Sequence, residues 1–244
     1  MKKYSSVFAM IARSTLYKNL IVMFLMATVQ IILFVLKLQN YEQMGKWTLS
    51  GTVKDSFMIV PLAIGFFFIS LFLVKMGGFR GGNQRYLLNR LQITETEVFG
   101  LQALYNCICF VILWAVEVAV FLGVSSIYME KATDVTNHTK GMAFYSNSLM
   151  HSLLPMKDTM GWLYLLTVII GAGLFLALFS ALQRKGTSKG LIGCGILLGI
   201  MAANFPREVA SRKDPMFIFA AIVLCPLLIR EITGLKIKGD EDVE

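Results

Sequence analysis

Apolar runs long enough to cross a bilayer constrain this chain more than any motif in it. A helix needs about 20 mainly apolar residues to span roughly 30 Å of hydrocarbon. Six stretches approach that length: residues 20–36, 57–74, 103–124, 161–182, 190–205 and 215–232. The fifth is short and glycine-rich; at about 1.5 Å per residue it reaches about 24 Å, so it thins the bilayer, sits among neighbours or is broken. Composition agrees, because 56% of the 244 residues are hydrophobic and only 16% are charged, where soluble domains carry about 25%. One soluble core cannot hide that much apolar surface, and disordered chains are polar. The expectation is an all-α, polytopic membrane protein forming a single transmembrane domain over residues 1–244, with about six transmembrane helices.

The net charge of +8 would fit nucleic acid, but in a membrane chain the placement of Lys and Arg carries more meaning, since they collect in cytoplasmic loops. Lys2, Lys3, Arg13 and Lys18 precede the first span, and Lys75, Arg80, Arg85 and Arg90 follow the second. The bias predicts a multi-pass cell-membrane protein with both termini cytoplasmic, lipid around it and no nucleic-acid partner. No cleavable signal peptide is evident, because Arg13 interrupts the early apolar stretch. Cys107, Cys109, Cys194 and Cys225 all lie in apolar runs, which argues against a disulfide framework. Before the first span, Tyr4, Val7, Phe8 and Ile11 follow helical spacing between basic residues. They predict an N-terminal interfacial amphipathic helix, the alternative being an extension of the first span.

The segment between the second and third spans is the most informative of the loops. Gly77, Gly78, Gly81 and Gly82 break the second helix. Residues 84–91 (QRYLLNRL) then place Tyr86, Leu87, Leu88 and Leu91 beside Arg85 and Arg90, the pattern of a short amphipathic helix. Thr94 and Glu97 form a capping box that restarts helix towards the third span. Residues 38–56 read as a short polar outer loop, and residues 125–160 as a longer one rich in Ser, Thr, Asn and Met.

Absent motifs exclude several chemistries. No G-x-x-x-x-G-K-[ST] phosphate loop and no H-E-x-x-H occur, so neither ATP hydrolysis by the chain itself nor a zinc protease of that type is expected. His138 and His151 both fall in the 125–160 loop and leave a serine within the membrane without a candidate base. With Asp134 they could hold a metal weakly, but isolated loop histidines are more often solvated, and no metal site is expected. Glu117 is the one acid well inside a span, where a charge costs roughly 2.5–3.5 kcal/mol even on permissive scales. It reads either as a pathway-lining group or as a neutral acid bonded to a neighbouring helix. Gln30 and Asn106 are milder cases, with interhelical hydrogen bonds as the default reading. Gly171 and Gly173 lie in the fourth span, and the G-x-x-x-G of Gly195 and Gly199 in the fifth permits close backbone approach. Pro61 and Pro226 should kink their spans or end the regular part.

Taken together, the N-terminal stripe from Tyr4 to Ile11, the basic loop and the RYLLNRLQITETEVFGLQAL segment at residues 85–104 resemble the six-helix permease subunit of a small bacterial type-2 ABC exporter. The resemblance implies that residues 84–91 form a cytoplasmic coupling helix, with Arg85, Tyr86, Leu87 and Arg90 contacting a separate ATP-binding subunit. It implies a second permease copy, as homodimer or heterodimer, with ATP and Mg held by the partner subunit and no cofactor or catalytic residue on this chain. The substrate would be an amphipathic or hydrophobic peptide, drug or lipid moved outward. The long 125–160 segment departs from the family, whose notable outer feature usually lies between spans five and six. The competing readings are an intramembrane enzyme, for which only Glu117 is on offer, and a non-transporting membrane scaffold or sensor.

The topology is directly testable. Cysteine variants Lys54→Cys, Lys140→Cys and Arg212→Cys should react with an impermeant thiol reagent applied from outside, whereas Arg90→Cys and Lys185→Cys should not. Reversed labelling would invert the topology and remove the coupling-helix assignment with it.

Overall fold

The computed structural model describes residues 2–42, 49–75, 94–131, 150, 153–155, 159–185 and 199. The expected coupling helix at residues 84–91, the sixth span and all of the fifth but Gly199, and His138, His151 and Asp134 lie outside the described residues. Among the described residues five helices follow one another: α1 (Lys2–Glu42), α2 (Leu49–Asp55), α3 (Ile59–Lys75), α4 (Glu95–Lys131) and α5 (Thr159–Lys185). Three of them contain stretches long and apolar enough to cross a membrane, Tyr4–Gln39, Thr96–Glu130 and Gly161–Leu182; Ile59–Val74 is a shorter apolar helix.

The helices outrun the apolar runs that mark them. α1 has 41 residues and so extends about 60 Å, twice the hydrocarbon thickness. No break separates the Tyr4–Ile11 stripe from the first span, so the N-terminal segment is the extension of that span rather than a separate interfacial helix. The cause is local: neither Gly nor Pro occurs between residues 2 and 42, and the buried positions Ile11, Thr15, Asn19, Met23, Met26, Gln30, Phe34 and Leu38 keep one helical phase throughout. α4 likewise passes residue 124 and takes in the first part of the expected 125–160 loop. Ser125 and Ser126 are accommodated because both hydroxyls donate to the Leu122 carbonyl, at 2.9 and 3.0 Å, and Tyr128 is buried.

Within the 38–56 segment, residues 49–55 form α2 instead of an open polar loop, because Leu49, Thr52 and Val53 are buried. α2 passes to α3 through Ser56, Phe57 and Met58. Phe57 is left-handed, with φ 52°, a conformation that non-glycine residues seldom adopt. α3 starts at Ile59, so Pro61 falls in its first turn, where a missing N–H leaves no hydrogen bond unmade. Thr94 and Glu97 do close a capping box: the Glu97 amide donates to Thr94 Oγ1 at 3.4 Å, and the Thr94 amide donates to Glu97 Oε2 at 3.1 Å.

The four long helices close a ring in which α4 packs on α1 and α5, and α3 packs on α1 and α5. α1 and α4 run parallel; α3 and α5 run opposite to them. Two apolar clusters fill the ring. One joins Ile11, Met23 and Met26 to Ile69, Phe110, Leu113 and Leu176; the other joins Phe34 and Leu38 to Val53, Met58, Phe121, Val124 and Leu153. Large apolar side chains also cover the outside: Phe24 is 73% exposed, and Leu25, Ile32, Leu36, Phe67 and Leu163 are exposed with it. Such a surface is unfavourable in water and ordinary against lipid tails.

α5 approaches α4 closely at Gly173, which is buried and meets Cys107 and Asn106. A Cβ on Gly173 would lie 2.5 Å from Cys107 Sγ and 3.1 Å from the Cys107 backbone nitrogen. The backbone atom cannot step aside, so Gly173→Ala should force α4 and α5 apart and cost about 1–3 kcal/mol, as overpacked cores do. Gly123→Ala meets nothing within 4 Å and should be neutral or stabilising by up to about 1 kcal/mol. Unfolding midpoints in detergent separate the two; equal midpoints would contradict the close α4–α5 approach.

Candidate functional site

Parallel packing brings the polar residues of α1 and α4 into pairs along one seam. Tyr4 Oη donates to Glu97 Oε1 at 2.7 Å. Thr15 Oγ1 and Tyr105 Oη share a hydrogen bond of 2.9 Å, and Asn19 Nδ2 donates to Cys109 Sγ at 3.6 Å. Deepest in the bundle, Gln30 Nε2 donates to Glu117 Oε1 at 2.6 Å. These partners are separated by 93, 90, 90 and 87 residues. A near-constant offset is what two parallel helices in fixed register produce.

Gln30 and Glu117 are each 1% exposed. They sit between the two apolar clusters, Met26 and Phe34 flanking Gln30 on α1, and Leu113 and Phe121 flanking Glu117 on α4. The Gln30 amide also donates to the Met58 carbonyl at 3.2 Å. Two acceptors therefore face Nε2, which settles the orientation of the amide: the flipped form would set its oxygen against both. The left-handed Phe57 thus has a consequence, since the turn it makes carries the Met58 carbonyl to Gln30. Among the described residues Gln30 Oε1 and Glu117 Oε2 make no hydrogen bond. Asn106 serves another contact, donating through Nδ2 to the Gly173 carbonyl at 3.1 Å and tying α4 to α5.

Glu117 also borders an open apolar cavity of about 300 Å³ between α3, α4 and α5, whose α3 side includes the exposed Ile59 and Ala63. Its α3 wall runs from Ile59 to Phe66, its α5 wall from Leu165 to Ala172, and Leu153 contributes at the Glu117 end. Phe66 and Phe110, both in the lining, stack with ring centroids 5.2 Å apart. Beyond them α3 and α5 are joined, Ser180 Oγ donating to the Val74 carbonyl at 3.2 Å. Trp114 is in the wall, its indole N–H donating to the Leu153 carbonyl at 2.9 Å and its ring edge-on to Trp162 at 6.2 Å. With that N–H engaged, Glu117 is the one ionisable side chain lining the space among the described residues, and its unbonded oxygen is itself buried. Among the described residues no serine, cysteine, histidine or second carboxylate lines the space, so no acid–base pair is assembled there.

Of the residues singled out in the sequence, Gln30 and Glu117 meet each other, Asn106 lies elsewhere on α4, and Arg85, Tyr86, Leu87 and Arg90 are outside the described residues. Thr15, Asn19, Tyr105 and Trp114 were not singled out. A signal for two of them exists: Thr15 and Asn19 continue the four-residue spacing of Ile11 and Met23, so polar groups stand where an apolar stripe predicts burial.

Removing one partner of a buried pair leaves the other unsatisfied, at a cost of about 1–3 kcal/mol, whereas removing both is close to neutral. Gln30→Leu should thus destabilise the protein more than the double variant Gln30→Leu/Glu117→Leu. Unfolding midpoints of both singles and the double measure this, and additive losses would show that the two side chains do not depend on each other.

Compared with known proteins, the chain matches no family model, no curated protein and no solved structure.

Proposed function

We propose that this chain is the membrane permease subunit of an exporter of the type-2 ABC kind, moving an amphipathic or hydrophobic substrate outward with a separate ATP-binding subunit. The observation that carries the reading is the apolar cavity of about 300 Å³ set among three apolar helices, with one buried carboxylate in its wall. An intramembrane hydrolase needs a second group beside Glu117, and the cavity wall supplies none. The sequence adds two supports: it holds no phosphate loop, so the energy source is another chain, and residues 84–91 carry the apolar and basic groups of a docking helix. On this reading a second permease copy completes the pathway, and ATP and Mg stay with the partner subunit.

The test is recovery of the ATP-binding subunit with the tagged permease. Truncating a buried anchor of a small interface costs about 2 kcal/mol or more, whereas a rim cation contributes less. Tyr86→Ala or Leu87→Ala should therefore lower recovery more than Arg85→Ala, and Arg90→Ala should leave the membrane abundance of the permease unchanged. Normal recovery with all four variants would end the docking assignment.

A further inference from the structure

We infer that Glu117 is a proton-binding site at the α1–α4 junction: the carboxyl carries a hydrogen on Oε2 and donates it to Gln30 Oε1. The two side chains are then joined by two hydrogen bonds instead of one. Nothing in this depends on the exporter reading, since it concerns the junction alone.

The hydrogen bonds of the pair are incomplete at two atoms. Gln30 Nε2 spends its two hydrogens on Glu117 Oε1 at 2.6 Å and on the Met58 carbonyl at 3.2 Å. Gln30 Oε1 and Glu117 Oε2 are both buried and make no hydrogen bond among the described residues. While the acid is ionised both are acceptors, so neither can satisfy the other. One proton turns Oε2 into a donor and closes both gaps at once, because a planar amide and a planar carboxylic acid pair as a ring of two bonds, N–H to oxygen and O–H to oxygen. Charge argues the same way. The described helices hold no cation at the depth of the pair: α1 has none between Lys18 and Lys37, α3 none before Lys75, α4 none before Lys131 and α5 none before Arg184, while Lys54 of α2 is exposed. The nearest titratable side chains along α4, Cys109 and Tyr128, stand about 12 and about 16 Å from Glu117 at about 1.5 Å per residue; Tyr17 of α1 is exposed, and Tyr164 is the one titratable side chain in the α5 span. An ionised carboxylate kept from water without a cation is so unfavourable that the group takes up a proton instead. That proton comes from water: one O–H bond forms, the negative charge is discharged, and no other bond changes. The proton is thereby part of the lock between α1 and α4, and losing it leaves two buried acceptors with no hydrogen between them.

The experiment is infrared absorption of the full chain in dodecyl maltoside, a detergent without carbonyl groups, read at the C=O stretch of a protonated carboxyl. An ordinary glutamate is less than about 1% protonated at pH 7, so exposed acids contribute almost nothing there. The native chain should show one such band, at the lowered frequency of a hydrogen-bonded acid, and isotopic labelling of the glutamate carboxyl carbons should move it. Glu117→Gln supplies an N–H where the acid has its O–H, so the variant keeps both bonds to Gln30 and should lose the band. Gln30→Leu removes the acceptor and should raise the band to the frequency of an acid without a hydrogen bond. No band in the native chain would mean a carboxylate and overturn the site. A band that glutamate labelling leaves in place, or that survives Glu117→Gln, belongs to another acid and overturns it equally. A native band already at the unbonded frequency, or one that Gln30→Leu does not shift, would show that the proton is not given to the amide. The labelling and the native frequency need no variant, so the proposal stays open to refutation even where a substitution fails to fold.

Discussion

A polar side chain carried into an apolar bundle must find its partner there, and the Gln30–Glu117 hydrogen bond is where this protein meets that demand most severely. Apolar contact gives little orientation between helices whose outer surface is as apolar as lipid. Register comes from what cannot slide. Gln30 Nε2 binds Glu117 Oε1 on α4 and the Met58 carbonyl ahead of α3, so one amide ties three helices at one level. The Thr15–Tyr105 and Asn19–Cys109 pairs continue the same seam. On the other side of α4 the lock is steric, since Gly173 lies so close to Cys107 that no side chain fits between them.

The fold was legible where local chemistry determines it. Apolar runs located four of the long helices, and the Thr94–Glu97 box marked the start of α4 within a residue. Helix lengths were not legible from hydropathy, which reports where lipid is tolerated and not where the backbone stops being helical. Without Gly or Pro between residues 2 and 42, α1 has no reason to break between Ile11 and Leu20. α2 was missed for a related reason: Leu49 and Val53 look like isolated apolar residues in a polar loop until Phe34, Leu38 and Val124 are placed beside them. Glu117 stood out because an acid in a span is costly, but its partner could not be read. A contact across 87 residues leaves no spacing in the sequence, and the left-handed Phe57 has none of the glycine or asparagine signature usual for such a turn.

The cavity follows from these constraints. α5 is drawn onto α4 along its small residues, while α3 is held to α1, where Gly65 admits the Met26 side chain. α3 and α5 are joined at the Val74–Ser180 end, and the Phe66–Phe110 stack bridges α3 and α4. Towards Ile59 the space stays open, since α3 offers it only the single methyl of Ala63 there.

Stability alone does not account for what stands in its wall. Replacing a buried polar pair by well-packed apolar side chains is often neutral or stabilising, and the seam between α1 and α4 already has polar pairs at Thr15–Tyr105 and Asn19–Cys109 to hold its register. A glutamate is also the more demanding choice, because one amide engages only one of its oxygens. A glutamine in its place would keep an acceptor for Gln30 and bring no charge. The feature particular to Glu117 is therefore a second carboxylate oxygen, buried and without a hydrogen bond among the described residues, which helix association through Gln30 leaves unused.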